Sequence, residues 1–526
     1  MKTALISVSN KTGITELAQE LVNLGIEIIS TGGTARTLEE AGIKVTPIDD
    51  VTGWPEMMDG RVKTLHPKIH GGLLALRDNE EHMKSVKEHN IKLIDLVIVN
   101  LYPFAETIKK ENVKLEEAIE NIDIGGPTMI RSAAKNYQHV GVVVDPEDYS
   151  KVLTELKENK ELSLKTKEYL AQKVFAHTAY YDSLIANYLN KEDFPEKLTL
   201  GYEKVFDLRY GENPHQKAAF YQEAICPETC IAQAKVLQGK QLSYNNIMDA
   251  DAALNIIRDF KEPTCAVIKH TNPCGCSSQE NIVEAFRKAY AADSMSAFGS
   301  IIALNRECNQ EIAEEISKVF VEIVMASKFS KEALEILSKK KNLRLLEVGE
   351  INRIENLTET RKVVGGVLVQ GTDRLEITHS TGSGSSKKSG LKIVTETKPS
   401  EEEIEEMLFA WKTIKHVKSN AILLTKNRTT VGLGAGQVSR VDAVDLAIKK
   451  ALASLRDSGR AGDNLKGCVL ASDAFFPFRD SIDKIAEVGI KLVIQSGGSI
   501  KDEEVIQACN EHGISMVFTG HRCFKH

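Results

Sequence analysis

The start of the chain repeats a pattern of a short apolar run, a polar turn containing glycine, and an amphipathic segment that stops at a glycine. Ala4 to Val8 precedes the turn Ser9-Asn10-Lys11-Thr12-Gly13, and Ile26 to Ile29 precedes Ser30-Thr31-Gly32-Gly33-Thr34. The first amphipathic segment has apolar residues three or four positions apart, namely Ile14, Leu17, Ala18 and Leu21. The second is predicted as a helix over Ala35 to Ala41. Because parallel strands need a crossover, usually a helix, this alternation predicts a parallel sheet with helices on its faces.

The length of the chain predicts more than one domain. A chain of 526 residues exceeds what one hydrophobic core usually supports. Further strands are expected at 93–100 and 140–144. The alternation lapses at a charged, proline-containing stretch between Asn190 and Gly201. We therefore expect a first domain at 1–198 and a second at 199–526.

The composition predicts partners and a compartment. The formal net charge of -7 has no long basic block, which disfavours nucleic acid as a partner. No apolar run approaches the roughly 20 residues of a membrane span, and the apolar start, Met1 to Val8, is too short for a signal peptide. Nine cysteines without disulfide-framework spacing favour a reducing compartment. The expectation is a cytoplasmic protein that does not associate with a membrane.

Two polar turns of the first domain are candidates for a phosphate site. Glycines let the backbone approach an anion, hydroxyls donate hydrogen bonds, and a helix N-terminus favours negative charge. The alternative is that each turn only caps its helix. The candidate binding residues of these turns are Ser9, Lys11, Thr12, Ser30, Thr31, Gly32, Gly33 and Thr34.

A cationic run lies further along the first domain, at Gly60-Arg61-Val62-Lys63-Thr64-Leu65-His66-Pro67. If this run is extended, alternation points Arg61 and Lys63 the same way. Asp123 precedes a predicted helix with Pro127 in its first turn, and Arg131 and Lys135 are spaced to share one face. These residues predict a second anion-facing wall; the alternative is a solvated charged surface.

The second domain contains a lysine and a histidine at the end of an apolar strand. Cys265 to Ile268 reads as a buried strand, and Lys269 and His270 follow it. Imidazole titrates near neutral pH, and an adjacent ammonium can stabilise developing negative charge, so the pair is a candidate for proton transfer. The alternative is a surface pair that ends a strand.

A zinc site is not expected at the same segment. A zinc deaminase needs His-x-Glu followed by Pro-Cys-x-x-Cys. Here His270 is followed by Thr271-Asn272, and Cys274 and Cys276 are one residue apart rather than two. Cys226 and Cys230 have no evident second ligand pair and are expected to be ordinary thiols.

Two weaker features complete the pattern. The stretch from His379 to Lys388 is rich in glycine, serine and lysine and predicts a mobile surface loop without chemistry. The passages at 292–299 and 471–478 are faintly similar, which suggests an internal duplication of the second region.

Runs of residues along the whole chain occur in the order typical of a known family. In the first domain they are Ser9-Asn10-Lys11-Thr12, Ser30-Thr31-Gly32-Gly33-Thr34, 60–67, Asn100-Leu101-Tyr102-Pro103-Phe104, 123–126 and Ala133-Ala134-Lys135-Asn136. In the second they are 208–216, 237–246, 269–275, Ser419-Asn420-Ala421, Gly434-Ala435-Gly436-Gln437, 472–480 and Gly497-Gly498-Ser499-Ile500. The chain resembles the bifunctional aminoimidazole-carboxamide ribotide (AICAR) formyltransferase/inosine monophosphate (IMP) cyclohydrolases of purine biosynthesis.

The resemblance implies a fold, two reactions and partners. The fold is α/β, with an N-terminal methylglyoxal-synthase-like parallel domain followed by a transformylase region of two cytidine-deaminase-like halves. The reactions are formyl transfer from 10-formyltetrahydrofolate, a cosubstrate, to AICAR, and ring closure of the product FAICAR to IMP. The implied partners are these small molecules and a second copy of the chain, with transferase sites made from both subunits. No catalytic metal is implied.

The resemblance also implies roles for individual residues. In formyl transfer, His270 is the base, Lys269 stabilises the oxyanion or protonates the leaving nitrogen, and Asn420 orients the substrate. In ring closure, the developing oxyanion is stabilised or the phosphate is bound by Lys63, Arg61 and Lys135. Asp123 handles a proton, and Tyr102 packs on or hydrogen-bonds the nucleotide base. The implied substrate-binding residues also include Thr64, Arg209, Tyr210, Gly299, Arg440, Asp502 and Arg522.

Two other functions remain open at this point. A nucleotide-sensing regulatory protein would bind through the phosphate turns without doing chemistry, and would not need Lys269, His270 and Asn420. A narrower rival retains only one of the two activities. The chain also departs from bacterial relatives in having Ser496 where proline is usual, and the stretch at 379–388 looks inserted; both departures are expected to affect loop stiffness more than chemistry.

Overall fold

The computed structural model describes residues 1–354, 357–374, 376–378, 388–457 and 465–526. The predicted loop at 379–388 lies, apart from Lys388, outside these residues. The chain divides into two compact units, the first containing 1–203 and 223–225 and the second containing 204–222 and 226–526.

The elements of the first two hundred residues alternate as the sequence predicts. The strands are β1 (Thr3–Ser7), β2 (Glu27–Ser30), β3 (Thr46–Pro47), β4 (Leu96–Val99) and β5 (Gly141–Val143). The α-helices are α1 (Ile14–Asn23), α2 (Gly32–Glu40), α3 (Ile48–Thr52), α4 (Pro67–Leu74), α5 (Glu80–Glu88), α6 (Phe104–Ile108), α7 (Leu115–Glu120), α8 (Gly125–Lys135), α9 (Tyr149–Asn159) and α10 (Leu164–Leu189). Short 3₁₀ helices lie at Met58–Gly60 and Pro146–Asp148.

The sheet of the first unit is parallel, in the order β3-β2-β1-β4-β5. Successive side chains of β1 enter different cores, with Leu5 in one and Ala4 and Ile6 in the other. All residues of β4 are buried. A sheet covered on both faces explains why these strands read as continuous apolar runs. The predicted parallel α/β arrangement is confirmed.

One predicted helix boundary in the first unit was wrong, and one condition stated for the cationic run is not met. The second helix begins at Gly32 rather than Ala35, because Thr31 is extended and the chain enters the helix directly after it. The run from Gly60 to Thr64 is not extended: a 3₁₀ helix ends at Gly60 and turns follow it. Strand alternation therefore does not set the directions of Arg61 and Lys63.

The second region contains further strands and helices. The strands are β6 (Tyr202–Leu208), β7 (Ala218–Glu223), β8 (Lys235–Gln238), β9 (Thr264–Lys269), β10 (Asn272–Ser278), β11 (Ser300–Leu304), β12 (Val321–Ala326), β13 (Arg344–Glu347), β14 (Thr358–Val363), β15 (Gly366–Gly371), β16 (Glu376–Thr378), β17 (Lys388–Gly390), β18 (Lys392–Ile393), β19 (Ile422–Thr425), β20 (Thr430–Gly434), β21 (Val469–Ser472), β22 (Leu492–Gln495) and β23 (Ser515–Phe518). The α-helices are α11 (Tyr244–Ile257), α12 (Ile282–Ala292), α13 (Gln310–Ser317), α14 (Lys331–Leu337), α15 (Glu401–Ile414), α16 (Arg440–Asp457), α17 (Asp480–Glu487) and α18 (Asp502–Glu511). A 3₁₀ helix lies at Ile231–Gln233.

The second unit repeats one sheet pattern. One sheet has the order β10-β9-β11-β12-β13-β8 and the other the order β20-β19-β21-β22-β23-β18. In each, the first three strands are mutually antiparallel neighbours, the next two pairings are parallel, and the last is antiparallel. The predicted duplication into two α/β halves is confirmed. The two passages that suggested it are not equivalent, because 292–299 precedes β11 whereas 471–478 follows from β21.

The two halves also share a tight hairpin turn. In the first half, Lys269 pairs with Asn272, which leaves His270 and Thr271 as a two-residue turn with φ of 52° and 60°. In the second half, Asn427 and Arg428 form the corresponding turn with φ of 54° and 50°. Two consecutive residues of positive φ match the twist of paired strands. The turn presents the His270 side chain at the exposed tip of its hairpin.

Candidate active sites

The strand order of the first unit defines where a ligand can bind. The strands β1 and β4 start opposite halves of the sheet and lie side by side. In open parallel sheets, ligands bind beyond the carboxyl ends of the strands at such a switch point. Asn100, which follows β4, accepts hydrogen bonds from the backbone N–H groups of Ser9 (2.6 Å) and Asn10 (3.0 Å). The turn from Ser9 to Thr12 therefore lies at this edge of the sheet.

The N-terminus of α2 is a candidate anion site of the unit. Its Ncap residue, Thr31, makes no side-chain cap hydrogen bond, and Thr34 N donates to Thr31 O, so the N–H groups of Gly32 and Gly33 are the ones that face a ligand. Lys63 approaches the same place, because a Cβ on Gly32 would lie 2.9 Å from Lys63 Nζ. An uncapped helix N-terminus beside an ammonium favours a phosphate. Gly33 continues this turn, and a Cβ built on it would meet nothing within 4 Å.

Other residues of the polar turns have partners inside the chain. Ser30 Oγ donates to Ile6 O at 2.9 Å, and Thr34 Oγ1 both accepts from Val8 N and donates to Val8 O at 3.0 Å. Lys11 Nζ donates to Val8 O at 2.6 Å, and burial lowers the pKa of Lys11. These three predicted binding residues hold the β1 and β2 turns together. Thr12 donates from Oγ1 to Asn10 Oδ1 at 2.7 Å, which shapes the first turn.

The segment after Gly60 approaches the N-terminus of α8 as well. Thr64 is buried with its hydroxyl against Gly125, the first residue of α8, where a Cβ would overlap it. Asp123 lies just before this helix, and its Oδ1 accepts a hydrogen bond from Gly126 N at 2.8 Å. Lys63 and Thr64 thus connect the starts of α2 and α8.

Asp123 has an environment suited to proton transfer. Burial raises the pKa of its carboxyl, against the opposing effect of hydrogen bonds from the backbone of Gly126 and Tyr102. Burial also raises the pKa of Tyr102, and the charges of Asp123 and Glu120 add to this shift. A carboxyl that holds its proton more tightly than usual can act as an acid closer to neutral pH. The structure brings Asp123 and Tyr102 together.

Two predicted residues of this site are placed differently. Arg61 forms an exposed ion pair with Glu120. Lys135 is exposed in the last turn of α8, ten residues after Gly125. At the rise of an α-helix, this separation is roughly 15 Å along the axis. Within the described chain, no hydrogen bond or ion pair connects Lys135 to the residues around Asp123.

The candidate site of the second unit begins at the hairpin tip. Lys269 Nζ donates to Phe298 O at 2.9 Å, next to Gly299, whose φ of 74° suits glycine. Beside His270, Thr271 N donates to Asp249 Oδ1 at 2.6 Å. Burial raises the pKa of Asp249. The Asp249 carboxyl group therefore holds the turn through the backbone N–H of Thr271.

Asn272 connects this turn to the other half of the unit. Its Nδ2 donates to His270 O at 2.9 Å, and its Oδ1 accepts from Lys418 N at 3.4 Å. Lys418 is two residues before Asn420. The structure thus brings Lys269, His270 and the Asn420 segment to one place.

The amide of Asn420 is held on both sides. Its Nδ2 donates to Gln437 O at 3.0 Å, and its Oδ1 accepts from Arg440 Nη2 at 2.8 Å. Arg440 is itself buried and donates from Nη1 to Asp473 Oδ1 at 2.5 Å and to Ser472 Oγ at 2.8 Å. Asp473 is fully buried. These bonds fix the Asn420 amide relative to Arg440.

Of three other predicted binding residues, two are exposed and one is partly buried. Arg209 is exposed and lies over the Tyr210 ring, 5.3 Å from its centroid. Asp502 begins α18; its Oδ2 accepts from Gly498 N at 2.7 Å, whereas its buried Oδ1 has no hydrogen-bond partner among the described residues. Arg522 is exposed and stacks over Phe524 at 4.8 Å.

Asp249, Asn272 and Asp473 received no role from the sequence. Asp249 is one acidic residue of α11, and Asn272 is the first residue of β10. Asn272 is next to the His270 turn in the sequence, but its contact with Lys418, 146 residues away, comes only from the fold. A run of residue types carries no signal for such tertiary contacts.

Across the residues that the structure describes, no group of three or more His, Cys, Asp or Glu side chains is arranged to hold a metal ion. In the same residues, no helix is both long enough and apolar enough to cross a membrane.

Known proteins resemble the chain along its whole length. The AICARFT/IMPCHase bienzyme family matches residues 133–450, and the MGS-like domain family matches residues 13–128. The "Bifunctional purine biosynthesis protein PurH" of Acetivibrio thermocellus is 57% identical over 100% of both chains. The proteins of that name from Ruminiclostridium cellulolyticum and Thermoanaerobacter sp. are 53% and 54% identical, also over 100% of both chains. A solved structure, "Crystal structure of ForH", is 36% identical, covers 36% of this chain and 99% of its own, and has a TM-score of 0.33. By its family match and these relatives, the chain belongs to the AICARFT/IMPCHase bienzyme family.

Proposed function

We propose that this protein is a bifunctional enzyme that transfers a formyl group from 10-formyltetrahydrofolate to AICAR and then closes the ring of FAICAR to IMP. The observation that carries the proposal is the Asn272 bridge, which ties the His270 turn to the Asn420 segment. A protein that only sensed a nucleotide would not need a base, an ammonium and a held amide in one place. The relatives named as bifunctional PurH proteins extend over the whole chain, which supports both reactions.

In the first reaction, the exocyclic amine of AICAR attacks the formyl carbon. The amine is a weak nucleophile because its lone pair is delocalised, so His270 accepts its proton as the bond forms. Lys269 stabilises the tetrahedral oxyanion or protonates the departing folate nitrogen, and the products are FAICAR and tetrahydrofolate. Asn420 orients the carboxamide or the formyl oxygen, and Arg440 keeps its amide in place.

In the second reaction, the carboxamide nitrogen of FAICAR attacks the formyl carbon and water leaves. Both groups are on one molecule, so the protein mainly has to place charge. The N-terminus of α2 and Lys63 bind the phosphate or the developing oxyanion. Asp123, whose pKa is raised by burial, moves the proton, and Tyr102 contacts the base. Arg61 and Lys135 are further candidates for charge stabilisation.

The domains, assembly and compartment are also proposals. The cyclohydrolase domain is 1–198 and the transferase domain is 199–526. The protein acts as a homodimer, because apolar side chains near the candidate transferase site are exposed: Met295 is 80% and Val438 98% accessible. All nine cysteines lie in the described residues and none forms a disulfide there, which suits a cytoplasmic enzyme.

The proposal is tested by incubating the purified protein with AICAR and 10-formyltetrahydrofolate while following ultraviolet absorbance. We expect tetrahydrofolate and IMP to form in equal amounts, identified by chromatography. Nucleotide binding by calorimetry together with a flat absorbance trace would instead show a sensor. Accumulation of FAICAR without IMP would show a transferase alone.

A further inference from the structure

Cys226 and Cys230 form a pair that neither reaction uses. They frame the sequence Cys226-Pro227-Glu228-Thr229-Cys230 in the loop after β7, and Cys230 is the Ncap residue of the 3₁₀ helix Ile231–Gln233. Both thiols are partly accessible. Of the other cysteines, only Cys274 is partly accessible; the rest are buried.

The residues between the two cysteines are fixed to a second segment. Thr229 N and Oγ1 donate to Asn352 Oδ1 at 2.6 and 2.7 Å, and Asn352 Nδ2 donates to Pro227 O at 3.1 Å. Glu228 Oε1 accepts from Ile354 N at 3.1 Å.

Glu228 is also held by two cations. Its Oε2 lies 2.8 Å from Arg374 Nη2 and 3.3 Å from Arg258 Nη1, and Glu228 and Arg258 are both buried. A loop held this firmly keeps the two sulfurs in one relative position, so little ordering entropy remains to be lost when a bond joins them.

The Cys226 thiol donates to Glu228 O at 3.2 Å, which holds it within the same five-residue loop as Cys230. A side-chain hydrogen bond with Cys226 lowers the pKa of the Cys230 thiol to about 6, although burial opposes the shift, and the backbone N–H groups of Gln233 and Ala232 add to it. A thiolate beside a thiol is the starting arrangement for thiol–disulfide exchange. By contrast, burial raises the pKa of Cys274 to about 11, which makes that thiol a poor nucleophile.

We propose that Cys226 and Cys230 are a redox-modification site that closes reversibly to an intramolecular disulfide on exposure to a low-molecular-weight disulfide. The Cys230 thiolate attacks one sulfur of the oxidant and releases one thiolate, which takes a proton from water. Cys226 loses its proton to solvent and attacks the Cys230 sulfur of this mixed disulfide, and a second thiolate leaves. Two protein thiols are oxidised, and one oxidant disulfide is reduced to two thiols.

The full-length protein tests this with oxidised and reduced glutathione as the probe. After equilibration at pH 7 and alkylation, trypsin cleavage after Lys217 and Lys235 leaves both cysteines on one peptide without any other cysteine. We expect the oxidised sample to give this peptide unalkylated and lighter by two hydrogen atoms than the dithiol, and excess reduced glutathione to reverse the change. A peptide that stays doubly alkylated in excess oxidised glutathione would overturn the proposal.

Two variants separate the disulfide from general thiol oxidation. Cys274→Ser is expected to leave the oxidised peptide unchanged, whereas Cys226→Ser is expected to stop at a glutathione adduct on Cys230. In the reduced wild type, iodoacetamide should modify Cys230 about a hundredfold or more faster than Cys274 at pH 7. Equal rates, or a stable adduct on Cys230 in the wild type, would contradict a preformed pair.

Discussion

Arg440 holds the side-chain amide of Asn420: its Nη2 lies 2.8 Å from Asn420 Oδ1, while its Nη1 lies 2.5 Å from the buried Asp473. The Arg440 guanidinium thus fixes Asn420, which is proposed to orient substrate, relative to the buried carboxylate of Asp473. The planar donor fork of arginine makes both bonds at once, which lysine cannot do.

We expect Arg440→Lys to lower kcat/KM for formyl transfer by about 10- to 100-fold, because a hydrogen bond to a charged donor contributes roughly 1.5–3 kcal/mol. Ring closure of supplied FAICAR should be unchanged, since that site is proposed in the other domain. Both rates are measured with the thermal unfolding midpoint as a control for folding. A folded variant with normal formyl transfer would remove the positioning role.

The two half-reactions should be separable by substitution. His270→Ala is expected to reduce formyl transfer by about 10²- to 10⁴-fold and to spare ring closure, whereas Lys63→Ala should do the reverse. Each variant is assayed with AICAR and, separately, with FAICAR. Loss of both activities in either folded variant would show that the two sites are not independent.

The C-terminal segment should be required for formyl transfer alone. Cys523 N donates to Asp473 O at 2.9 Å, and Ser419 and Lys525 exchange hydrogen bonds next to Asn420. Deleting residues 522–526 is expected to abolish formyl transfer and leave ring closure of FAICAR intact. Arg522→Ala keeps the backbone contacts of the segment, so it separates loss of the Arg522 side chain from loss of those contacts. If the folded truncation lost both activities to the same extent, the assignment would be wrong.

Stability should fall in mild acid because of His416. Its Nε2 lies 2.6 Å from Asp259 Oδ2, but Lys415 and Arg353 already compensate that carboxylate. Burial therefore lowers the pKa of His416 to about 4, despite the opposing effect of Asp259. The unfolded chain gains a proton below about pH 6.5 that the folded protein does not bind until about pH 4, so stability decreases as pH falls through this window.

The size of this effect should be roughly 1–3 kcal/mol, on the linkage of pKa to stability. Denaturant unfolding at pH 7 and pH 4.5 measures it. His416→Gln keeps a hydrogen-bond donor but does not titrate. Between pH 7 and pH 4.5, the free energy of unfolding of this variant should therefore fall by roughly 1–3 kcal/mol less than that of the wild type. An equal loss in the variant would assign the acid sensitivity to other groups.

Gly275 should tolerate no side chain. A Cβ at this position of β10 would overlap the backbone carbonyl of Ala289 in α12, and Gly434 of β20 meets Ala443 of α16 in the same way. Gly275→Ala is expected to destabilise the protein by about 3 kcal/mol or more, because backbone atoms must move. Gly371→Ala, where a Cβ would meet nothing within 4 Å, is the matched control. Equal unfolding midpoints for the two variants would contradict this close packing.

Periodicity was enough to predict the first sheet and its helices. The four apolar residues predicted on the face of α1 are the four that are buried. The residues from Gly60 to Thr64 did not by themselves decide between an extended chain and turns, and the structure has turns there. The Arg440–Asp473 pair and the Asp249 contact join residues 33 and 22 positions apart, and only the assembled sheets bring them together.

The two copies of the hairpin in the second unit differ in what their tips contact. In one copy the tip carries His270 toward solvent; in the other, Arg428 O accepts from Ser278 N at 2.9 Å and Arg428 N donates to Glu406 at 2.6 Å. Through these hydrogen bonds, the second tip joins one half of the unit to the other. A lysine and a histidine placed on this tip would not create a second catalytic centre, because Thr429, which follows it, bonds to Ser277 and does not supply the amide that Asn272 supplies beside His270.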